Sequence, residues 1–110
     1  MTRFTTPFAG AALFLALLPM TAQAGPDADL KAGRAIFNET AVPTCSVCHS
    51  LADAGAEGEV GPNLDDFKPT VDQVRAAVTS GIGVMPAFDE SLTEDQIETV
   101  ALYVATVTAD

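Results

Sequence analysis

Apolar residues recur at helical spacing in three stretches of the chain. In the first, Leu30, Gly33, Ile36 and Phe37 fall on one face and predict a helix from about Asp27 to Glu39. Asp27 can cap it, and Asp29 suits the positive end of the helix dipole. A glycine at mid-helix costs about 1 kcal/mol against Ala and is best tolerated where another backbone comes close. In the second stretch Thr70 opens a helix, Gln73 completes a capping box, Val71, Val74 and Val78 form the apolar face, and Gly81 ends it. In the third, Thr93 and Gln96 make another capping box, and Leu92 and Ile97 stand where a hydrophobic staple closes. Ile97, Val100, Ala101, Val104 and Val107 make its core stripe. Pro43 interrupts the chain between the first two helices. Residues 50–60 hold three acidic residues and two glycines without periodicity and read as a loop, followed by a turn at Gly61-Pro62-Asn63-Leu64. Gly81 to Phe88, with two glycines and a proline, cannot be a regular helix. No segment reads as a strand and none repeats. The class is all-α, with about three main helices.

The first 24 residues follow a different pattern. Arg3 precedes an apolar run from Phe8 to Leu18, Pro19 breaks it, and Ala22-Gln23-Ala24 is a small-residue cleavage site. The run falls short of the roughly 20 apolar residues that span a bilayer. A cleaved export signal over residues 1–24 is therefore expected, with an uncleaved anchor as the alternative. The expected compartment is the bacterial periplasm, where lone cysteines are normally committed to a bond.

Removing 24 of 110 residues leaves 86, a single domain from Gly25 to Asp110. Small domains bury only about 60% of their unfolded surface. With three Phe, one Tyr and no Trp beyond residue 24, this one has a thin core of its own. A large apolar cofactor would fill that gap. The chain has 5 basic and 15 acidic residues, net −10, and loss of Arg3 makes it −11. Nucleic acid and anionic membranes are poor partners for such a charge.

Cys45-Ser46-Val47-Cys48-His49 has the spacing of a c-type haem attachment site. Positions i, i+3 and i+4 of one helical turn share a face, so two thiols can bond a haem's vinyl edges while the imidazole reaches its iron. Other readings exist for the cysteine pair. A redox dithiol expects a strand–helix setting and no trailing His. A structural zinc site usually needs four ligands, whereas the chain offers three Cys and His in total. A disulfide across so tight a turn would be strained.

A haem iron has a second axial position. Met85 is the only methionine after residue 24, as His49 is the only histidine of the chain. It lies in the irregular Gly/Pro loop rather than on a helix stripe, which separates it from methionines that merely fill a core. A thioether suits haem iron and raises its reduction potential.

Taken together, the opening helix, the Cys45–His49 motif, the Gly61-Pro62-Asn63-Leu64 turn, the Met85-Pro86 loop and the closing helix resemble a class I c-type cytochrome of the short bacterial periplasmic type. The resemblance covers nearly all of residues 25–110. It implies a small fold around one covalent haem c, thioethers at Cys45 and Cys48, and iron ligation by His49 and Met85. It also implies that the Pro62 carbonyl accepts the His49 ring N–H. Gly33 and Phe37 match first-helix positions that cross the last helix near Val100 and Tyr103. The chain departs from the family pattern in having no Trp to hold a haem propionate. The segment from Gly61 to Tyr103 is also similar to small cytochromes that accept electrons from bacterial sulfite dehydrogenases.

The function implied is single-electron transfer between redox enzymes. With both axial positions filled the iron has no open site for a substrate, so the chain is not expected to be an enzyme. The alternatives are a haem sensor or peroxidase-like enzyme with an open iron, and a haem-free dithiol oxidoreductase. Around the expected haem edge lie Asp53, Glu57, Glu59, Asp65, Asp66, Asp89 and Glu90. A partner with a basic docking patch is the expectation.

Overall fold

The structure is a computed structural model that describes residues 2–20 and 25–110. Residues 2–20 form no helix or strand and lie exposed, and the Ala22–Ala24 cleavage motif falls outside the described residues. Among the described residues no helix is long and apolar enough to cross a membrane.

Helix α1 spans Pro26–Ala35 and runs on through one wide turn, Ile36–Thr40, closed by the Ala41 N–H on the Ile36 carbonyl at 3.1 Å. Its start differs from the sequence expectation. Gly25, not Asp27, is the cap, and its carbonyl accepts from Ala28 and Asp29 N–H at 3.0 and 3.2 Å. Pro26 follows at the first helical position, where a missing N–H costs nothing. Asp27 and Asp29 lie in the first turn and complement the dipole instead. The apolar stripe is as expected: Gly33, Ile36 and Phe37 are buried and Leu30 packs against the core.

After a single turn, α2 (Cys45–Cys48), the chain makes a feature the sequence did not suggest. Strand β1 (Ser50–Leu51) pairs antiparallel with β2 (Ala56–Glu57), around a short helical turn at Ala52–Ala54 and Gly55. Two-residue strands are too short to show alternation, so residues 50–60 read only as loop. A further one-turn helix, α3 (Leu64–Phe67), is capped by the Asn63 side chain accepting from Asp65 N–H at 3.0 Å.

The two capping boxes form as expected. They open α4 (Val71–Ser80) at Thr70/Gln73 and α5 (Glu94–Thr108) at Thr93/Gln96. Leu92 and Ile97 are both buried. Helix α5 is the spine of the domain: α1 packs on one side and α4 on another, the latter joined to it by a forked Arg75–Glu98 pair at 2.6 and 2.8 Å. Val100, Ala101, Tyr103 and Val104 of α5 are buried with Phe37 and Leu51.

The α1/α5 crossing explains Gly33. A Cβ there would lie 2.2 Å from Tyr103 Cβ and 3.1 Å from the Thr99 carbonyl oxygen. One turn on, Phe37 and Tyr103 meet edge to face, with ring centroids 6.3 Å apart. Gly33→Ala gains about 1 kcal/mol of helix propensity but must force the helices apart, and overpacking costs about 1–3 kcal/mol. A net loss of up to about 2 kcal/mol is expected in denaturant unfolding of the haem-loaded protein. An unchanged midpoint would show that the crossing does not require a glycine.

Candidate haem site

Helix α2, the 60–62 turn, α4 and the 81–88 loop surround a cavity of about 950 Å³ that lies against Val100 and Val104 of α5. Cys45, Cys48, His49, Pro62 and Met85, the five residues singled out in the sequence, all line it. Most of the remaining wall is apolar, including Phe37, Leu64, Val74, Val78, Phe88, Val100 and Val104. No charged side chain lines it among the described residues; Thr44, Gln73 and Ser80 supply hydroxyl and amide groups. These are side-chain donors within the cavity that suit a propionate, a role the sequence left without a partner.

The haem motif is not wholly helical, contrary to the expectation that its three residues share one turn. The His49 N–H closes the turn on the Cys45 carbonyl at 2.9 Å, but His49 itself is extended (φ −113°, ψ 141°). The reason is the ladder that follows, because Ser50 pairs with Glu57 and needs extended backbone ahead of it. The imidazole is nonetheless held. Its Nδ1 lies 2.8 Å from the Pro62 carbonyl oxygen, which can only accept, so Nδ1 carries the proton and Nε2 keeps a lone pair for a metal. Gly61 presses on the same ring: a Cβ there would be 2.6 Å from His49 Cε1 and 2.9 Å from Nδ1. The sequence showed Gly61 only as part of a turn.

Met85 sits on a tight hairpin. Ile82 and Met85 exchange both backbone hydrogen bonds, at 3.1 and 3.0 Å, and the Phe88 N–H ties the loop to the Val78 carbonyl at 2.8 Å. Gly81 enters this loop at φ +70°, where a Cβ would meet the Met85 carbonyl oxygen at 2.7 Å. Only glycine meets both demands at low cost. Met85 is half-buried while Val84 at the hairpin tip is 88% exposed.

The cavity fits a haem. It holds two thiols at the attachment spacing, an imidazole oriented through its Nδ1, a thioether, and an apolar lining. It suits the other readings of the cysteine pair less well. Burial pushes the Cys45 thiol up to about 11, whereas a reactive dithiol lowers it. Among the described residues no group of three or more His, Cys, Asp or Glu is arranged to hold a metal ion as a zinc site would.

The acidic residues expected around the haem edge divide into two groups. Asp53 is committed elsewhere: its Oδ2 accepts from Tyr103 Oη at 2.6 Å and from Arg34 at 2.8 and 3.2 Å, pinning the 52–54 turn to α5 and α1. The Tyr103 hydroxyl and the Arg34 guanidinium hold its carboxyl below the usual range. Asp65 is half-buried and accepts the Ala52 N–H at 2.8 Å. Glu57, Glu59, Asp66, Asp89 and Glu90 are exposed and form no ion pair among the described residues.

Comparison with known proteins identifies the family. The family described as cytochrome c oxidase, cbb3-type, subunit III matches residues 28–104. Cytochrome c6 of Leptolyngbya boryana is 38% identical over 81 residues, which cover 70% of this chain and 91% of that protein. Cytochrome c-551 of Halorhodospira halophila is 31% identical over 77 residues, 68% of this chain and 99% of its own length. Among solved structures, the c-type cytochrome SorU from Sinorhizobium meliloti superposes with a TM-score of 0.71 at 57% identity, covering 74% of this chain and 93% of that one. The chain belongs to the class I c-type cytochromes. It is a monohaem electron-transfer protein carrying covalently bound haem c, and its partners are redox proteins.

Proposed function

We propose that Cys45 and Cys48 carry the thioether bonds, that His49 and Met85 are the axial ligands, and that the protein is an electron carrier and not an enzyme. The observation that carries this reading is the convergence of all four side chains on one apolar cavity, with His49 Nδ1 bonded to the Pro62 carbonyl. A haem bound there supplies a single-electron Fe(III)/Fe(II) couple. The residues of the chain do the rest. His49 is presented through Nε2, the apolar wall excludes water, and the Met85 hairpin closes the second side and leaves no place for a substrate.

Residues 1–24 are read as an export signal, and the working domain is Gly25 to Asp110 in the periplasm. Supporting this are the apolar run, the cleavage motif and the start of α1 at Pro26. Once the signal is removed, nothing in the domain would span a membrane.

The partner is a redox protein with a basic docking patch, and the likeness of Gly61–Tyr103 to acceptors of sulfite dehydrogenases makes such an enzyme the electron donor we infer. The exposed Glu59, Asp66, Asp89 and Glu90 carry this part of the reading. A field of one sign speeds encounter with an oppositely charged surface and fades with screening, whose length is about 8 Å at physiological salt. Stopped-flow reduction by the donor should therefore be fastest at low ionic strength. It should slow when Asp66, Asp89 and Glu90 are neutralised in turn. A rate indifferent to both would place docking on the exposed apolar Val84 and Ala87. Phe88, next along the chain, is only 4% exposed and cannot contribute.

A further inference from the structure

The segment 58–62 lies along the end of the haem motif as a backbone strap. The Gly58 N–H donates to the His49 carbonyl at 3.3 Å, and the Gly61 N–H donates to the Cys48 carbonyl at 2.7 Å. Ser50 Oγ holds the Gly58 carbonyl at 2.8 Å, and the strap ends on the Pro62 carbonyl that accepts from His49 Nδ1. At its head Gly58 has no room for a side chain. A Cβ would lie 2.6 Å from both Cys48 C and His49 N, and 2.7 Å from the Val47 carbonyl oxygen. All three neighbours are backbone, so no flexible side chain can yield. Gly58 is not among the glycines with positive φ, so the contact alone, and not its conformation, demands a glycine.

We propose that Gly58 is a positioning residue for the iron ligand. By letting the strap lie flush on Cys48–His49, it fixes where the Pro62 carbonyl meets Nδ1, and so sets how strongly His49 donates to iron. The inference rests on the reading of His49 as the proximal ligand. A firm N–H···O=C bond makes an imidazole a stronger donor, and such outer partners tune a metal's properties as the ligands do. A side chain at 58 lifts the strap, lengthens that bond and weakens donation, which favours Fe(II).

The test is Gly58→Ala in the holoprotein, read by NMR exchange of the His49 ring N–H and by the reduction potential. The ring N–H should exchange about tenfold faster, the factor that corresponds to an ordinary hydrogen bond. The potential should rise, with haem still attached and the sulfur-to-iron band kept. Wild-type exchange and potential in that variant would overturn the proposal. Should Gly58→Ala yield no holoprotein, Ser50→Ala removes only the bond on the Gly58 carbonyl. It should move both readouts in the same direction by less, and unchanged values there would equally overturn the proposal. The oxidised wild-type distinguishes ligation by His49 from positioning by Gly58. A His49 ring without paramagnetic shifts defeats the ligand reading and the proposal with it. A shifted ring with a silent Gly58→Ala defeats the positioning role alone.

Discussion

Exchanging Cys45 and Cys48 together for Ala leaves a polypeptide that retains no haem after denaturation. Both thiols line the cavity on the single turn of α2, and they are the only cysteines of the chain, so no other residue can take over a thioether. The effect reaches beyond the cofactor. The largest fully buried side chains among the described residues are Phe37, Leu51, Val100 and Tyr103, and a cavity of about 950 Å³ lies against the core they form. An apolar void of that size is costly, because its lining forfeits its packing contacts. The double variant is therefore expected to be largely unfolded as well as haem-free, which circular dichroism and gel haem staining would both report. Haem that survives denaturation in it would overturn the covalent assignment.

Met85→Ala is expected to keep the haem attached and change its iron. The near-infrared sulfur-to-iron band should vanish, and carbon monoxide or cyanide should bind where the native protein excludes them. The potential should fall by an amount on the order of a hundred millivolts, since axial ligands move haem potentials across about 0.8 V. The hairpin around Met85 is closed by backbone bonds between residues 82 and 85, so the substitution should leave the loop in place and open only the ligand position. An unchanged spectrum and potential would assign the second ligand to another group.

How much of this was legible in the sequence depended on the range of the interaction concerned. Caps and stripes are local, and Thr70, Thr93 and the valines of α4 declared their helices directly. The haem motif is a spacing, and spacing survives in sequence even where geometry does not. His49 proved extended because Ser50 pairs with Glu57, a ladder too short to leave a pattern. Asp53 looked like one more surface carboxylate. Its partners Arg34 and Tyr103 come from α1 and α5, 19 and 50 residues away, and no local rule links them. The glycines were visible but ambiguous. Gly33, Gly58 and Gly61 each matter for a backbone or ring that lies against them, and only the folded chain supplies that neighbour.

The Asp53 cluster also shows why charge counts overstate a steering field. Of the seven carboxylates near the expected haem edge, Asp53 and Asp65 serve the fold. Asp65 holds the Ala52 N–H, and Asp53 ties the turn after the motif to two helices. The Tyr103 hydroxyl is raised to about 12, by burial first and then by its bond to that carboxylate, so the cluster keeps its proton at any physiological pH. The exposed remainder is what a partner would meet.

The claim on which everything else depends is that one iron is held between His49 and Met85 with no position left open. The absorption spectrum of the purified protein, in both oxidation states and before any mutation, tests it most directly. Low-spin, six-coordinate haem with a sulfur-to-iron band in the oxidised form is the expected result. High-spin five-coordinate haem, or no haem at all, would contradict it.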